Sequence, residues 1–466
     1  MSRIMPFRGW RYDLRSAGTE DLNELVAPPF DVIDVQGQET LYERHRCNII
    51  GAILGRDEPG DADNKNRYTR AAATLHSWRA SGVLRQEVSP SIYLLRERFG
   101  LADGGFTART GMVFRLRLAP WGNGILPHER TFPATRADRL ALTIATQCQF
   151  SPIYALYSDP SAAAQNALIS VAERQPDLHY QDDDGVEHSL WAISRASALQ
   201  TAIESLEDRT FFIADGHHRY ETALNYQRYR RYGVLPDAPA PSPLTGWQRV
   251  PDYQDYQPPG PNELQPYDTT WIYAARFEDP GVVVLPTHRC LNGLADFDGE
   301  TLLDRLGKQF DVTSYSDDSE LLEALQSATP GDHTYALLLP GSGPGYLLQL
   351  RSEHDIRAQL VKQDHPTVAA IDAAALQSLI LGPLLGIARV SGEQKRHITT
   401  MPSASDAISQ TRAGDYQAAF LVNPTTLKQI EDVSRASQVT PPKTTYFFPK
   451  LPSGLLVNWM EAGSSP

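Results

Sequence analysis

The sequence is poor in cysteine, in long apolar runs and in excess positive charge. Only three cysteines occur in 466 residues and none forms a CxxC pair, which argues against a cysteine zinc site or a disulfide framework and favours a reducing cytoplasm. No stretch of about 18 apolar residues is present, so we expect a soluble protein without a membrane span. The net charge of −13 disfavours the phosphate-neutralising surface that nucleic-acid binding requires.

Several signatures of known chemistry are also missing from the chain. GxxxxGK[ST] does not occur, which excludes a Walker-type P-loop, and neither does the HExxH of many zinc hydrolases. No repeat of 20–50 residues is evident. Any phosphate or metal site must therefore be built from residues that are not marked by these motifs.

Short apolar, strand-like runs alternate with amphipathic stretches along the chain, and this pattern predicts a mixed α/β or α+β fold. We predict helices at 67–81, 302–310 and 319–327, and strands at 91–96, 109–118, 190–193, 211–214, 281–285 and 335–339. Residues 235–268 contain nine prolines from Pro236 to Pro266, which predicts an extended insertion that folding does not need. We therefore predict an α/β region at 1–234, the insertion at 235–268, and a second α/β region at 269–466.

The stretch FFIADGHHRYETAL, residues 211–224, places an acid, a glycine, two histidines and an arginine where an apolar strand ends. We interpret it as a strand, a tight turn at Asp215 and Gly216, and a helix that begins at His217 and ends near Gly233. The free backbone N–H groups of a helix N-terminus attract anions, and an arginine side chain adds charge-assisted bonds. The alternative is that Asp215 only caps a surface helix.

Two other segments, GILPHERT (124–131) and VVLPTHR (283–289), run an apolar strand into Leu-Pro and then present histidine and arginine. If the three segments converge, they form a positive, proton-competent pocket that suits an anionic small molecule. The pocket would contain His128, Glu129, Arg130, His217, His218, Arg219, His288 and Arg289. A metal site of His128, Glu129, His217 and His288 is the competing interpretation. It is disfavoured because adjacent histidines on a helix point to different sides and three arginines would surround the cation.

Two further polar stretches are candidate edges of the same cleft. PKTTYFFPKLPSG, residues 442–454, offers Lys443, Thr444 and Thr445 as phosphate donors, or equally forms a strand that closes a sheet. APPFDVI, residues 27–33, places Asp31 on a short extended piece because two prolines break up local structure.

These stretches, together with NPTT (423–426), resemble the bacterial and archaeal family of unknown function called DUF1015 from about residue 5 to 458. The DGHHR core is also similar to the box of free serine kinases in the ParB/sulfiredoxin-like superfamily. That second resemblance implies a ParB/sulfiredoxin-like strand-turn-helix core elaborated by additional α/β segments, with ATP or ADP and Mg²⁺ as cofactors. It implies phosphate and metal contacts from Asp215, Gly216, His217, His218 and Arg219, with Mg²⁺ on Asp215.

The function favoured by these features is phosphoryl transfer from a nucleotide to serine or a similar small hydroxylated metabolite, because that chemistry needs charge clamps and positioning. The catalytic base has no motif of its own, and Glu129 and Asp31 are the candidates. Two alternatives use the same residues: hydrolysis of a phosphomonoester such as phosphoserine, with a histidine protonating the leaving oxygen, and non-enzymatic sensing of a nucleotide or anionic metabolite.

Overall fold

The computed structural model describes residues 2–101, 104–233, 259–260, 263–351, 360–387 and 394–461. The strands are β1 Ile4–Met5, β2 Trp10–Tyr12, β3 Leu84–Gln86, β4 Ile92–Gly100, β5 Phe106–Arg117, β6 Ile125–Leu126, β7 Cys148–Gln149, β8 Ile153–Tyr157, β9 Leu178–Gln181, β10 Glu187–Ile193, β11 Phe211–Asp215, β12 Thr269–Arg276, β13 Val283–Leu285, β14 His288–Leu291, β15 Phe310–Tyr315, β16 Thr334–Leu338, β17 Gly345–Leu350, β18 Ile398–Met401, β19 Ala418–Leu421, β20 Tyr446–Phe448 and β21 Asn458–Trp459.

The α-helices are α1 Leu14–Ala17, α2 Val35–Arg44, α3 Ile50–Ile53, α4 Arg67–Ala80, α5 Pro133–Thr146, α6 Ala163–Ile169, α7 Ala196–Leu206, α8 His217–Tyr232, α9 Gly299–Leu306, α10 Asp318–Gln326, α11 Pro366–Ala369, α12 Asp372–Leu376, α13 Gln394–His397, α14 Ala404–Ala413 and α15 Leu427–Arg435. A π-helical turn, Gln377–Leu381, follows α12. The mixed α/β fold class is confirmed.

Two sheets organise the described residues. The first has nine strands in the order β6-β11-β8-β12-β5-β4-β10-β9, with β1 added beside β5. Its β6–β11 and β8–β12 pairs are parallel, and its other pairs are antiparallel. The second sheet has six strands in the order β15-β17-β16-β19-β14-β18, all antiparallel. Short two-stranded ladders join β2 to β3, β7 to β21, and β13 to β20.

The first sheet is covered on both faces, as its central strand β8 shows. All five β8 residues are buried. Tyr154 and Leu156 pack into one hydrophobic cluster and Ile153, Ala155 and Tyr157 into another, because successive side chains of a strand point to opposite faces. A strand that is apolar throughout is typical of a sheet sandwiched between layers.

The predicted helices and strands occur with shifted ends. The clearest shift is at α9, predicted at 302–310, which begins at Gly299 because the Asp298 side chain caps it by accepting a bond from Thr301 N at 2.8 Å. It ends at Leu306, and Phe310 already begins β15. The domain boundaries stay a prediction. Strand β12, directly after the predicted insertion, pairs with β5 and β8 in the first sheet.

Most of the predicted insertion, 234–258 and 261–262, lies outside the described residues. Its described end is anchored to the fold. Asp268 is fully buried and accepts hydrogen bonds from Gln227 Nε2 at 2.9 Å and Arg231 Nε at 2.6 Å. A trial of whether the insertion is dispensable must therefore keep residues 259–268.

Candidate active site

The predicted strand-turn-helix unit is confirmed. Strand β11 ends at Asp215, Gly216 forms the turn with φ 98°, and α8 begins at His217. A positive φ favours glycine. The space around the turn favours glycine as well. A Cβ on Gly216 would lie 2.9 Å from Arg219 Nε and 3.0 Å from Arg219 Cζ. The turn therefore allows the Arg219 guanidinium to lie against the backbone where the helix begins.

The Asp215 carboxylate is held between two cations at the tip of β11. Its Oδ1 accepts a bond from Lys450 Nζ at 2.7 Å, and its Oδ2 is bonded by Arg219 Nη2. Burial opposes ionisation of this carboxyl, but Lys450 and Arg219 outweigh it and hold the Asp215 pKa well below its usual range. Asp215 is therefore an anion at neutral pH and fixes both cations at the start of α8.

The adjacent histidines of α8 secure the loop that carries the LPHERT motif. His217 Nε2 accepts a hydrogen bond from His128 N at 3.2 Å, and His218 Nε2 accepts one from Phe132 N at 2.8 Å. The two side chains therefore bracket the loop, with Glu129 between the bonded positions. Burial lowers the pKa of His218 to about 4 and that of His217 well below its usual value, so both rings are neutral acceptors at pH 7.

His128 is buried and neutral as well. Its Nδ1 donates to the Ile213 carbonyl at 2.8 Å, so its Nε2 accepts from Thr445 Oγ1 at 3.0 Å. Its ring meets the His217 ring edge to face with centroids 4.7 Å apart. Burial lowers the His128 pKa to about 4. These bonds tie the loop, β11 and the C-terminal segment together and fix the tautomer of the ring.

The Glu129 carboxyl, in the loop between these bonded positions, has a pKa raised toward neutrality. The residue is half-buried, and burial raises its pKa to about 7, with the Lys443 charge opposing the shift and the Asp215 charge adding to it. The Lys443 backbone N–H also opposes the rise of the Glu129 pKa. A carboxyl that titrates near pH 7 is suited to take a proton in a reaction.

The C-terminal segment brings Lys443 to the cluster in a strained conformation. Lys443 has φ 62°, a left-handed backbone that costs a non-glycine residue about 1–2 kcal/mol. Its carbonyl accepts a bond from Arg289 Nη2 at 2.8 Å. The Lys443 ammonium lies 4.0 Å from the Asp31 carboxylate. The buried Arg289 thus holds the carbonyl of the strained residue.

Other predicted site residues lie further from this cluster or are occupied. His288 is in the second sheet, where its Nδ1 accepts from Val422 N at 3.2 Å, and no described hydrogen bond joins it to α8. The Thr444 hydroxyl donates to Thr440 Oγ1 at 2.6 Å. Arg130 is half-buried, and its backbone N–H contacts the Thr440 carbonyl at 3.4 Å. Of the predicted LPTHR residues, Arg289 therefore hydrogen-bonds a residue of the cluster, whereas no described hydrogen bond links His288 to it.

A divalent cation does not fit the protein groups at Asp215. Both carboxylate oxygens already bond ammonium or guanidinium groups. Within the described part of the chain no group of three or more histidine, cysteine, aspartate or glutamate side chains is placed to hold a metal. Mg²⁺ prefers several oxygen ligands, and here it would have to displace a cation. The same absence applies to the competing site of His128, Glu129, His217 and His288, all of which are described residues.

Arg219 lines a partly open cavity as well as contacting Asp215. Its Nη1 bonds the Pro152 carbonyl. The cavity has a volume of about 60 Å³ and is lined by Phe30, Leu142, Phe150, Thr222 and Arg219 among others. At about 10–15 Å³ for one water position, it holds a few waters or a small group. Phe30 belongs to the APPFDVI motif, so that motif borders the cavity as well as the Asp31 edge of the site.

Sequence reasoning missed two residues of the site. Lys450 lies inside the quoted PKTTYFFPKLPSG stretch. Its contact with Asp215 joins residues 235 positions apart in sequence, so only the tertiary structure shows it. Glu221, one turn into α8, accepts from Thr131 Oγ1 at 2.5 Å and pairs with Arg136 at 2.6 Å. The i, i+4 spacing of His217 and Glu221 on one helical face was the signal available for Glu221.

The fold and site thus define a mixed α/β protein with a carboxylate, histidine and lysine cluster at a strand-turn-helix junction. The chain belongs to the family described as protein of unknown function (DUF1015), whose model matches residues 4–374. The resemblance is confirmed over that range, and the NPTT and PKTTYFFPKLPSG motifs lie beyond it. No curated protein matches the chain.

Among solved structures, the chain resembles a conserved hypothetical protein from Pyrococcus furiosus with a TM-score of 0.33 and 13% identity, over 72% of this chain and 96% of that one. A free serine kinase in complex with AMP matches with a TM-score of 0.31 and 12% identity, over 70% and 84%. SbnI from Staphylococcus aureus, truncated at its C-terminus, matches with 0.30 and 10%, over 72% and 83%. No helix among the described residues has the length and apolar character that crossing a membrane requires.

Proposed function

We propose that this protein is a phosphotransferase that moves a phosphoryl group from a nucleotide to the hydroxyl of a small metabolite such as serine. The observation that carries the proposal is Glu129, a carboxyl with a pKa near 7 beside Lys443 and the charged Asp215, Lys450 and Arg219 group. Phosphoryl transfer needs a base for the attacking hydroxyl and fixed positive charge around the phosphate. The cluster supplies both kinds of group.

In this proposal Glu129 accepts the proton of the substrate hydroxyl as its oxygen attacks the terminal phosphorus. The bond from phosphorus to the bridging oxygen breaks, and the nucleotide leaves with that electron pair. Lys443 and the first backbone N–H groups of α8 stabilise charge on the phosphoryl oxygens. Lys450 and Arg219 keep Asp215 ionised and in place, and the neutral His217 and His218 hold the Glu129 loop at the helix.

The proposed substrates are therefore anionic small molecules, ATP or ADP as the phosphoryl donor and a hydroxylated acceptor. The cavity beside Arg219 has the size for a small substituent of the acceptor. No step is assigned to Mg²⁺, because both oxygens of the Asp215 carboxylate already bond cationic side chains. Three buried free cysteines accord with a reducing cytoplasm, which we propose as the location.

Phosphorus NMR of the purified protein tests the function. The protein is incubated with ATP or ADP, with and without Mg²⁺, and a panel of hydroxylated amino acids. A new phosphomonoester that requires nucleotide supports the kinase. Release of inorganic phosphate from phosphoserine without nucleotide identifies a hydrolase, and nucleotide binding without turnover identifies a sensor. Either of the last two results would overturn the kinase assignment.

A further inference from the structure

A row of ionisable side chains crosses the first sheet beneath the C-terminal segment. His188 on β10 lies directly opposite Glu97 on β4, and Glu97 lies directly opposite Arg109 on β5. All three side chains are fully buried. Directly opposed residues share one face of a sheet, so the three form a continuous line across neighbouring strands.

The line runs from the sheet edge to its interior, and only its Asp182–His188 and Glu97–Arg109 contacts are within hydrogen-bond distance, since neither His188 Nδ1 nor Glu97 Oε1 has a hydrogen-bond partner among the described residues. Asp182, a quarter exposed, accepts from His188 Nε2 at 2.9 Å, and His188 Nδ1 lies 3.7 Å from Glu97 Oε1. Glu97 Oε2 accepts two bonds from Arg109, from Nε at 2.9 Å and Nη2 at 2.6 Å. A buried ion pair of this kind is a costly way to gain stability, which suggests that its geometry serves a further purpose.

Arg109 uses its remaining donors on the C-terminal segment. Its Nη1 donates to the Phe448 carbonyl at 3.2 Å, and its Nη2 donates to the Pro449 carbonyl at 2.9 Å. The guanidinium also lies over the Tyr154 ring, 4.6 Å from its centroid. Only a planar fork can bond Glu97 and two successive carbonyls together. The residue that follows these carbonyls is Lys450, whose ammonium bonds Asp215.

We propose that Arg109, oriented by Glu97 and His188, is a positioning residue that sets the Lys450 ammonium against Asp215. The Lys450 side chain is 15% exposed, and its ammonium lies over the Tyr446 ring at 4.6 Å. Arg109 bonds the carbonyls of the two residues that precede Lys450, and the Asp215 carboxylate bonds the Lys450 ammonium. The catalytic value of the row rests on the proposed function, whereas the placement of Lys450 is measurable without any turnover.

The test measures how fast Lys450 reacts with acetic anhydride in the full-length protein, by mass spectrometry, relative to the exposed Lys308. Arg109→Lys keeps a charge opposite Glu97 but loses the fork. The double variant Arg109→Met, Glu97→Gln removes both charges, a change that buried pairs often tolerate. His188→Gln is the mildest change. Arg98→Lys on β4, an exposed arginine paired with Glu187, is the matched control.

We expect Lys450 acetylation to rise about tenfold in Arg109→Lys and in the double variant, as loss of charge-assisted bonds implies. A smaller rise is expected in His188→Gln and none in Arg98→Lys. Unchanged Lys450 labelling in those Arg109 variants that melt cooperatively would overturn the proposal. If neither Arg109 variant folds, unchanged Lys450 labelling in His188→Gln would overturn the proposal. Absence of turnover in wild type with Lys450 still protected would count against the phosphotransferase and leave the positioning role standing.

Discussion

Two strand ends with nearly the same sequence make different contacts in this protein. In each segment the last residue of a short strand is a leucine, a proline follows it, and the segment ends in arginine. The segments are LPHER, residues 126–130, and LPTHR, residues 285–289. In the first, the histidine packs against α8 and Glu129 faces Lys443. In the second, the chain enters the second sheet, so His288 bonds Val422 and Arg289 reaches back to the Lys443 carbonyl.

The difference shows that a local motif determines which groups are presented but not where they point. β6 pairs with β11, so its loop lies beside the N-terminus of α8. β13 pairs with β20, and the following residues continue as β14 in the other sheet. The first loop therefore contributes a titrating acid, whereas the second contributes an arginine that supports the backbone of the C-terminal segment.

The largest expected effect is that of Glu129→Gln, which removes the proposed base while keeping the shape of the side chain. Turnover in the phosphorus NMR assay should fall about 10²- to 10⁴-fold, the usual contribution of a general base. Glu43→Gln, at an exposed position of α2, is the control. Retained turnover in Glu129→Gln would show that the two strand ends do not differ in catalysis.

The pH dependence of the same variant sharpens this result. Wild-type activity should rise with pH and level off above about 7, where Glu129 is ionised, and this dependence should vanish in Glu129→Gln. The unfolded carboxyl titrates near pH 4.5 and the folded one near 7. Wild type should therefore lose stability relative to the variant as pH rises between these values and not beyond. Equal pH dependence of melting in both proteins would contradict the raised pKa.

Arg219→Ala should have the next largest effect, because Asp215 loses one of its two cations. We expect a rate loss of roughly 30- to 1,000-fold, by analogy with removal of one charge-stabilising donor, with poor rescue by lysine. Calorimetric binding of nucleotide and thermal unfolding are measured together, with the exposed Arg195→Ala as control. If Arg219→Ala is less stable than wild type but has the same nucleotide affinity and rate, the role of Arg219 is purely structural.

Gly216→Ala and Gly233→Ala form a matched pair at the two ends of α8. Both glycines have positive φ, 98° and 68°, but among the described residues only a Cβ on Gly216 would meet another residue, Arg219. Each variant should lose about 1–2 kcal/mol of stability from backbone strain. Gly216→Ala alone should also lose about tenfold to 100-fold in rate, since a small displacement of a charged group is costly. Equal activities would argue against a role for the Arg219 position.

His288→Leu tests the second strand end. It leaves the buried Val422 N–H without its acceptor, which should cost about 1–3 kcal/mol in thermal or urea unfolding. Turnover per folded molecule should not change, because His288 lies in the second sheet. His179→Leu, at an exposed position of β9, is the stability control. A large fall in turnover for His288→Leu would show that His288 belongs to the site and that the LPTHR and LPHER segments do not differ in this respect.

The smallest effect is expected from replacing residues 235–258 by a short Gly/Ser linker. The prediction rests on the proline-rich sequence, which removes backbone donors and offers little apolar surface. Residues 259–268 stay, since Asp268 is bonded by Gln227 and Arg231. The melting temperature should stay within a few degrees, and loss of soluble expression would show that the segment carries a core anchor.

Local patterns were enough to predict the parts of the site that are contiguous in sequence. Phe211–Asp215, Gly216 and α8 follow from an apolar run, a glycine and helical spacing, which are preferences of a few neighbouring residues. Membership of the DUF1015 family also follows from such short stretches. Helix ends were less well predicted, as at α9, because a single capping bond decides where a helix begins.

The sequence by itself determined the mixed α/β class, the strand-turn-helix unit and the residue types that meet there. Only the tertiary structure decided that Lys450 pairs with Asp215 and that His288 lies elsewhere. It also decided that the pKa of Glu129 lies near 7, whereas those of His128 and His218 lie near 4. Burial and opposing charges from distant segments produce these shifts. They are properties of a folded environment that no single stretch of the chain contains.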